Sequence, residues 1–327
     1  MIRNSIYYSV KPIIPRFFRL GVRRFFARRK YSRCSHIWPI DETAANQPEN
    51  WAGWPEEKDF SVVLTHDVEG PKGLDQVRPL AELEESLGFR SSFNFVPEGS
   101  YSVPRSLRED LDRRGFEVGV HDLKHDGKLY ASKAVFKDNA RRINGYLRDW
   151  KSVGFRSGFM LRNLDWLHEL DKLYDASTFD TDPFEPQPDG ANTIFPFWVR
   201  RKVRAEEGKA GNLDEQSAFR EGYVELPYTL AQDSTLFLLL REDTIAIWKR
   251  KIDWLVGKGG MILVNVHPDY IDFSESPKLD HNMYPVKYYK DLLVYLNSLN
   301  RDKFWHGLPR EIASYFKETM IERRISG

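Results

Sequence analysis

From Phe60 onward, short apolar runs alternate with longer helical patterns, and nothing else in this 327-residue chain restricts its fold so tightly. Phe60 to Thr65 precedes a helical stretch reaching Leu87, Ser91 to Val96 precedes one from Pro104 to Arg114, and Phe116 to His121 precedes one from Ala131 to Trp150. That order predicts parallel strands joined by crossover helices, in a closed barrel or an open doubly wound sheet. No Gly-rich dinucleotide or phosphate fingerprint follows the first strand, which weighs against the usual open-sheet nucleotide binders. With 41% hydrophobic residues and a formal net charge of +1, the chain suits one large soluble domain or two smaller ones. The balanced charge argues against nucleic acid as a partner, and the single cysteine, Cys34, excludes an intramolecular disulfide.

Charge is nevertheless concentrated at one end. Met1 to Ile40 holds ten Lys or Arg residues and no acid, interleaved with Ile, Tyr and Phe, including Phe17, Phe18, Phe25 and Phe26. A basic amphipathic segment of this kind either lies on an anionic membrane surface or packs as an arm on its own domain. Arg23-Arg24-Phe25-Phe26 is followed by Ala27-Arg28-Arg29-Lys30 instead of an apolar core, so no export signal is predicted. No run of about 18 apolar residues is present to span a bilayer. The expectation is a cytoplasmic protein, with residues 1–40 as a point of peripheral contact with the inner membrane. Asp41 to Lys58, interrupted by Pro48 and Pro55, reads as a linker, dividing the chain into an extension and linker at 1–57 and a folded domain at 58–327.

Three strand ends carry residues suited to chemistry: Thr65-His66-Asp67-Val68-Glu69, His121-Asp122-Leu123-Lys124-His125, and Val264-Asn265-Val266-His267-Pro268. Strand ends that converge on one face of a sheet are where α/β enzymes place their active groups. Side-chain alternation puts Thr65, Asp67 and Glu69 on one side of the first strand, with His66 and Val68 on the other. Two carboxylates on one side repel unless a cation or a shared proton relieves them; the bland alternative is a strand running into a polar turn. His121 and His125, spaced i and i+4, share a face if the segment turns helically after its strand. With Glu69 they form a two-His, one-carboxylate set that leaves positions open for water and substrate. A zinc-protease helix is disfavoured, because Asp122 stands where that motif needs Glu and a strand precedes it. His267 ends the apolar run Met261 to Val266, and Arg156 follows another short strand, from where it could hold Asp67 ionised.

In this order the pieces resemble the NodB-like polysaccharide deacetylases, metal-dependent enzymes on a deviant (β/α) barrel that remove N- or O-acetyl groups from sugars. The family's Thr-Phe-Asp-Asp is similar to Thr65-His66-Asp67-Val68-Glu69, its His-x-x-x-His to His121 through His125, its Arg-x-Pro-Tyr to Arg156-Ser157-Gly158-Phe159, and its Leu-x-x-His to Val264 through His267. The resemblance covers roughly residues 58 to 270. Val68 stands where the family has its second Asp, a metal ligand, so Glu69 inherits that role; Gly158 replaces the proline of the third motif. Tyr174 through Pro183 resembles a region that shapes the family's substrate groove.

The resemblance implies one divalent metal ion, zinc by expectation, held by Glu69, His121 and His125. It also implies Asp67 as general base beside Arg156, His267 as general acid, the Phe159 N–H as oxyanion donor, and Asp175 at the substrate. A carbohydrate substrate is implied, in bacterial envelope or exopolysaccharide metabolism. Two other readings stand beside it: a non-catalytic glycan-binding protein on the same fold, and a hydrolase of a small non-peptide amide. Asp67 and His267 beside all three ligands argue against the first of these. Trp166, Phe184, Phe195, Phe197, Trp198 and Tyr228 could line a polymer groove or fill the core.

Overall fold

The computed structural model describes residues 16–49, 51–201, 221–274 and 280–326. A basic helix, α1 (Arg16–Cys34), comes first, and the first fifteen residues of the basic segment lie outside the described residues. Then follow β1 (Phe60–Val68), α2 (Pro71–Ser86), β2 (Ser92–Phe95), α3 (Arg105–Arg113), β3 (Glu117–His121), α4 (Lys133–Trp150), β4 (Gly154–Arg156) and β5 (Tyr174–Asp175). After β6 (Phe197–Arg200) and β7 (Gly222–Glu225) come α5 (Ala246–Lys258) and β8 (Met261–Val266). The chain finishes with the short pair β9 (Ile271–Asp272) and β10 (Tyr284–Pro285), α6 (Val286–Ser298), β11 (Phe304–His306) and α7 (Pro309–Ser326).

The predicted alternation is present, and the strands it produces are parallel. The main sheet runs β11-β1-β2-β3-β4-β5-β7-β6, with β8 also paired to β1. All its pairings are parallel except β6 with β7, an antiparallel edge that the crossover pattern did not anticipate. Beyond β7, the N–H groups of Thr229 and Leu230 donate to the Leu263 carbonyl of β8 at 3.0 and 3.1 Å, joining the two sides of the sheet and curling it into a barrel. This is the deviant (β/α) barrel expected from the sequence. Strand β1 is buried along its whole length and continues past Thr65 because Thr65 to Val68 pair with Ser92 to Phe95 of β2. Helix α4 starts at Lys133, where the Ser132 side chain caps the Val135 N–H.

Alternation along β1 turns His66 away from the barrel interior. Its Nε2 lies 2.7 Å from Glu84 Oε1, and Ser91 Oγ and Tyr289 also bond to Glu84, so α2, α6 and β1 are stitched together by one buried polar cluster. Such a cluster is tolerated inside a core because its members satisfy one another.

The stretch from Asp41 to Lys58 is packed, which corrects its reading as a linker. Trp38, Ala44 and Trp54 belong to the same hydrophobic core as β1 and β8. Trp54 Nε1 donates to the Gly259 carbonyl at 2.8 Å, and the Ala44 carbonyl accepts from the Ile194 N–H at 3.1 Å. Among the described residues the segment holds only short 3-10 turns, Glu42–Ala45 and Pro55–Glu57, and stays attached to the barrel. Helix α1 is also seated: Ala27 is buried, Arg24 Nε donates to the Leu238 carbonyl at 3.0 Å, and Lys30 reaches the Pro183 carbonyl. Its Phe25 and Phe26 face outward, 62% and 63% exposed.

Candidate metal centre

The ends of β1, β3, β4 and β8 meet at one rim of the barrel. Asp67 is buried there and held by three donors: Asn94 Nδ2 at 3.0 Å and Arg156 Nη1 at 3.2 Å on Oδ1, and Asn265 Nδ2 at 2.8 Å on Oδ2. Arg156 is itself fully buried, and its other bonds go to the Ala176 carbonyl, Thr65 Oγ1 and Asn265 Oδ1. Burial alone would raise the Asp67 pKa, but the Arg156 guanidinium, followed by His121 and His267, drives it well below the usual carboxylate range. Asp67 is therefore an ionised carboxylate in a nearly dry place.

Glu69 sits one residue past β1. Its backbone N–H donates to Asp269 Oδ2 at 2.8 Å, and Tyr270 donates its hydroxyl to Oε2 at 2.8 Å. Oε1 remains for other partners, 3.2 Å from His125 Nε2 and 3.8 Å from His267 Nε2. Burial opposes ionisation here as well, and the neighbouring histidines, His125 first, bring the pKa down to about 2.

The two histidines share a site without sharing a helix, which corrects the expected helical turn. Asp122 and His125 both adopt left-handed backbone, φ 56° and 53°, and the segment bends back so that the two rings lie 4.9 Å apart. Left-handed backbone is costly for residues with side chains and persists where surrounding contacts impose it. Here the Asp122 N–H is fixed to the Arg156 carbonyl at 2.8 Å, and Phe159, also left-handed at φ 56°, stacks on the His125 ring at 4.3 Å. Gly158 has a physical reason to replace the family's proline. A Cβ there would fall 2.5 Å from Asp122 Oδ2 and 2.8 Å from His125 Cδ2.

His121 Nδ1 lies 3.1 Å from the Arg156 carbonyl, which accepts a hydrogen bond from it and leaves Nε2 as the candidate ligand atom. The Nε2 atoms of His121 and His125 are buried without a hydrogen-bond partner, since Glu69 approaches His125 out of hydrogen-bond alignment. One ligand atom each from Glu69, His121 and His125 lies within 4.8 Å of the others. Unpaired buried imidazole nitrogens facing a carboxylate are the donor set that a divalent cation satisfies.

His267, just after β8, completes the rim. Its Nδ1 is 2.7 Å from Asp233 Oδ1, its N–H donates to Asp233 Oδ2 at 2.9 Å, and Tyr284 donates to the same oxygen at 2.9 Å. Burial would lower the His267 pKa, yet Asp233 overcomes this and pushes it up to about 10.

Seven of the eight expected residues thus come together, and Asp175 does not. It is fully buried, its carboxylate accepts from the Ser177 N–H at 2.9 Å and Oγ at 3.0 Å, and the Ser177 N–H is shared with Glu225. Among the described residues its carboxylate bonds within this local turn and to none of the other seven. Asn94, Asn265, Asp233, Tyr270 and Asp269 were not singled out from the sequence. A polar residue inside a buried strand was the available signal for Asn94 and Asn265. Asp233 reads as the cap of the helical run Ser234–Leu240, and it does accept from the Ser234 N–H, which hides its second partner.

No family model and no curated protein matches the chain. Among solved structures, a candidate polysaccharide deacetylase from Mycobacterium smegmatis is similar with a TM-score of 0.58 and 16% identity, over 84% of this chain and 96% of that one. A candidate polysaccharide deacetylase involved in O-antigen biosynthesis from Bordetella bronchiseptica aligns at TM-score 0.41 and 16% identity, over 83% and 93% of the two chains. A family 4 carbohydrate esterase from Streptomyces lividans aligns at TM-score 0.40 and 11% identity, over 76% and 93%. The mycobacterial likeness assigns the fold, the barrel of the polysaccharide deacetylases.

Proposed function

We propose that this chain is a metal-dependent hydrolase that removes N-acetyl or O-acetyl groups from a sugar or polysaccharide of the bacterial envelope or of a secreted glycan. One arrangement carries the reading: two partnerless imidazole nitrogens and Glu69 at the same rim as an ionised Asp67 and a protonated His267. Glu69, His121 and His125 would hold one divalent ion, and a two-imidazole, one-carboxylate set suits zinc. Bound there, the ion supplies Lewis-acid charge that acidifies a water and polarises an acyl carbonyl.

The chain's own groups do the rest. Asp67 takes the proton of the attacking water, and Arg156, Asn94 and Asn265 keep it both ionised and aimed. His267, charged through Asp233, gives its Nε2 proton to the departing nitrogen or oxygen. The Phe159 N–H, on the loop stacked against His125, serves as donor to the developing oxyanion. Metal analysis of the purified protein, followed by acetate release from N-acetylated glycans, tests this. A chain that takes up no divalent ion, or that releases no acetate when loaded, overturns it.

We further propose that the protein works in the cytoplasm, against an anionic inner membrane surface. Phe25 and Phe26 form an exposed edge-to-face pair 5.6 Å apart beside exposed Arg28, Arg29 and Lys30, a combination suited to headgroups and the acyl boundary. No helix among the described residues is long and apolar enough to cross a membrane. Co-sedimentation with anionic vesicles should fall as salt rises from 0.1 to 1 M, where the Debye length shrinks from about 10 to about 3 Å. Replacing both phenylalanines by serine should reduce it further, and binding indifferent to both changes rejects the contact.

A further inference from the structure

Glu69 lies just past the last ladder pair of β1, Val68 with Phe95, so the sheet itself does not hold its backbone. Its side chain is also one methylene longer than that of Asp67, and ordering the extra torsion costs rotamer entropy unless neighbours have already fixed it. The chain that leaves β8 supplies those neighbours. Asp269 accepts the Glu69 N–H at 2.8 Å, and the Tyr270 hydroxyl donates to Glu69 Oε2 at 2.8 Å. Both residues belong to the short turn Pro268–Tyr270 that His267 opens, and the Tyr270 N–H returns to the His267 carbonyl at 3.0 Å. The Tyr270 ring also lies against the His267 ring, with centroids 5.2 Å apart. Backbone and ring together fix where the phenol hydroxyl stands.

The two oxygens of Glu69 are therefore not equivalent. Oε2 is taken by Tyr270, while Oε1 faces His125 Nε2 at 3.2 Å and His267 Nε2 at 3.8 Å. A carboxylate held in this way presents one oxygen to a cation and keeps the other occupied. Zinc is small and low in coordination number, and one oxygen with two imidazoles suits it while leaving a position for water. Larger ions such as manganese and calcium take more oxygen donors, and calcium commonly takes both oxygens of a single carboxylate.

We infer that Tyr270 is a positioning residue that confines Glu69 to a single donor oxygen, Oε1, and thereby sets the site's preference for a small zinc-like ion over larger, oxygen-seeking ones. The inference rests on the metal-dependent reading above and goes beyond it in naming what selects the ion. Its test compares the full chain with Tyr270→Phe, which keeps the ring against His267 and removes only the hydroxyl. Zinc and manganese affinities are measured by competition with a chelator, and the cobalt-loaded proteins by visible absorption. Zinc binding should weaken roughly ten- to a hundredfold in the variant, the usual effect of removing a group that orients a ligand. Manganese should weaken far less or bind more tightly, because Oε2 is released, so the zinc-to-manganese preference falls. The cobalt bands should lose intensity, as they do when a low-coordinate ion gains a donor. Unchanged zinc affinity, or an unaltered cobalt spectrum, overturns the inference. So does an equal loss for both ions, above all with a lower melting temperature of the metal-free variant, since the hydroxyl would then be merely structural. Stoichiometric metal with the same preference in both proteins removes this role of Tyr270 and leaves the deacetylase reading standing. A shifted preference without acetate release from any glycan keeps the role of Tyr270 and removes the deacetylase reading. An unaltered chain that takes up no divalent ion removes both.

Discussion

Asp67 and His267 lie at the same rim, both buried, and their neighbours drive them to opposite charge. Arg156 and two amides hold the first as an anion, while Asp233 holds the second as a cation. Asp67→Asn should keep the metal yet lower turnover by a factor on the order of a hundred or more, the usual worth of a positioned base. It should also destabilise the fold by about 3 kcal/mol or more, because Arg156 would remain buried without its counter-charge. Single-turnover acetate release, metal content and chemical denaturation check the three parts separately. Asp233→Asn removes what raises the His267 pKa. His267 acts as an acid only while protonated, so activity is present below its pKa and lost above it, and the variant's alkaline limb should move to lower pH in a kcat/KM profile. An unmoved limb assigns the acid elsewhere. At this scale the grouping of Glu69, His121 and His125 was legible, since these residues announce themselves by type and spacing. The groups that set charge were not, because Asn94, Asn265 and Asp233 acquire their roles only from partners on other strands and loops.

The first turn of α2 is tied to the candidate metal centre through one carboxylate. Asp269 accepts from the Glu69 N–H through Oδ2 and from the Gly73 N–H through Oδ1 at 3.1 Å, capping the helix while fixing the Glu69 backbone. A Cβ at position 73 would fall 2.1 Å from Asp269 Oδ2. Gly73→Ala, which in an open helix stabilises by about 1 kcal/mol, should instead displace Asp269 and weaken metal binding roughly ten- to a hundredfold in a chelator competition. Unchanged affinity would show that Asp269 does not orient Glu69. The elements themselves were largely readable, because β1, β3 and β8 carry short apolar runs and α2 to α4 carry helical patterns between them. The two misreadings have local causes. The His121–His125 spacing fits a helix, but Asp122 and His125 are forced left-handed by the Arg156 carbonyl and the Phe159 ring. Asp41 to Lys58 has linker composition, yet Trp38 just before it and Trp54 within it are buried in the barrel core, and tryptophan burial outweighs a few polar residues between them.

Over the whole molecule, several buried acids outside the rim are biased the other way from Asp67. Burial raises Glu117 to about 7 despite bonds from the Arg310 N–H and the Tyr174 hydroxyl, and it also raises Asp182 and Glu185, which share the Tyr228 hydroxyl. The folded chain therefore keeps protons that the unfolded chain releases above about pH 4.5, so stability falls as pH rises from there through about 7. His267, raised to about 10, acts in the same direction, its contribution being complete below about 6.5 and lost as pH climbs towards 10. Glu69, lowered to about 2, acts in the acid range, its contribution being lost as pH falls from about 4.5 towards 2. Metal-free protein should consequently melt at a higher temperature at pH 5 than at pH 8, and the reverse order would contradict these burial effects. The pairing of β1 has a further consequence, in the time dimension of biosynthesis. Ser61 faces Met261 and Phe60 faces Phe304, so the strand that bears Asp67 and leads into Glu69 leaves the ribosome long before two of its three neighbours exist. At roughly 5–20 residues per second, about 10–40 s of translation separate β1 from β8. Throughout that interval a nascent chain carries an apolar strand with an open edge, a target for chaperones or for other unfinished copies.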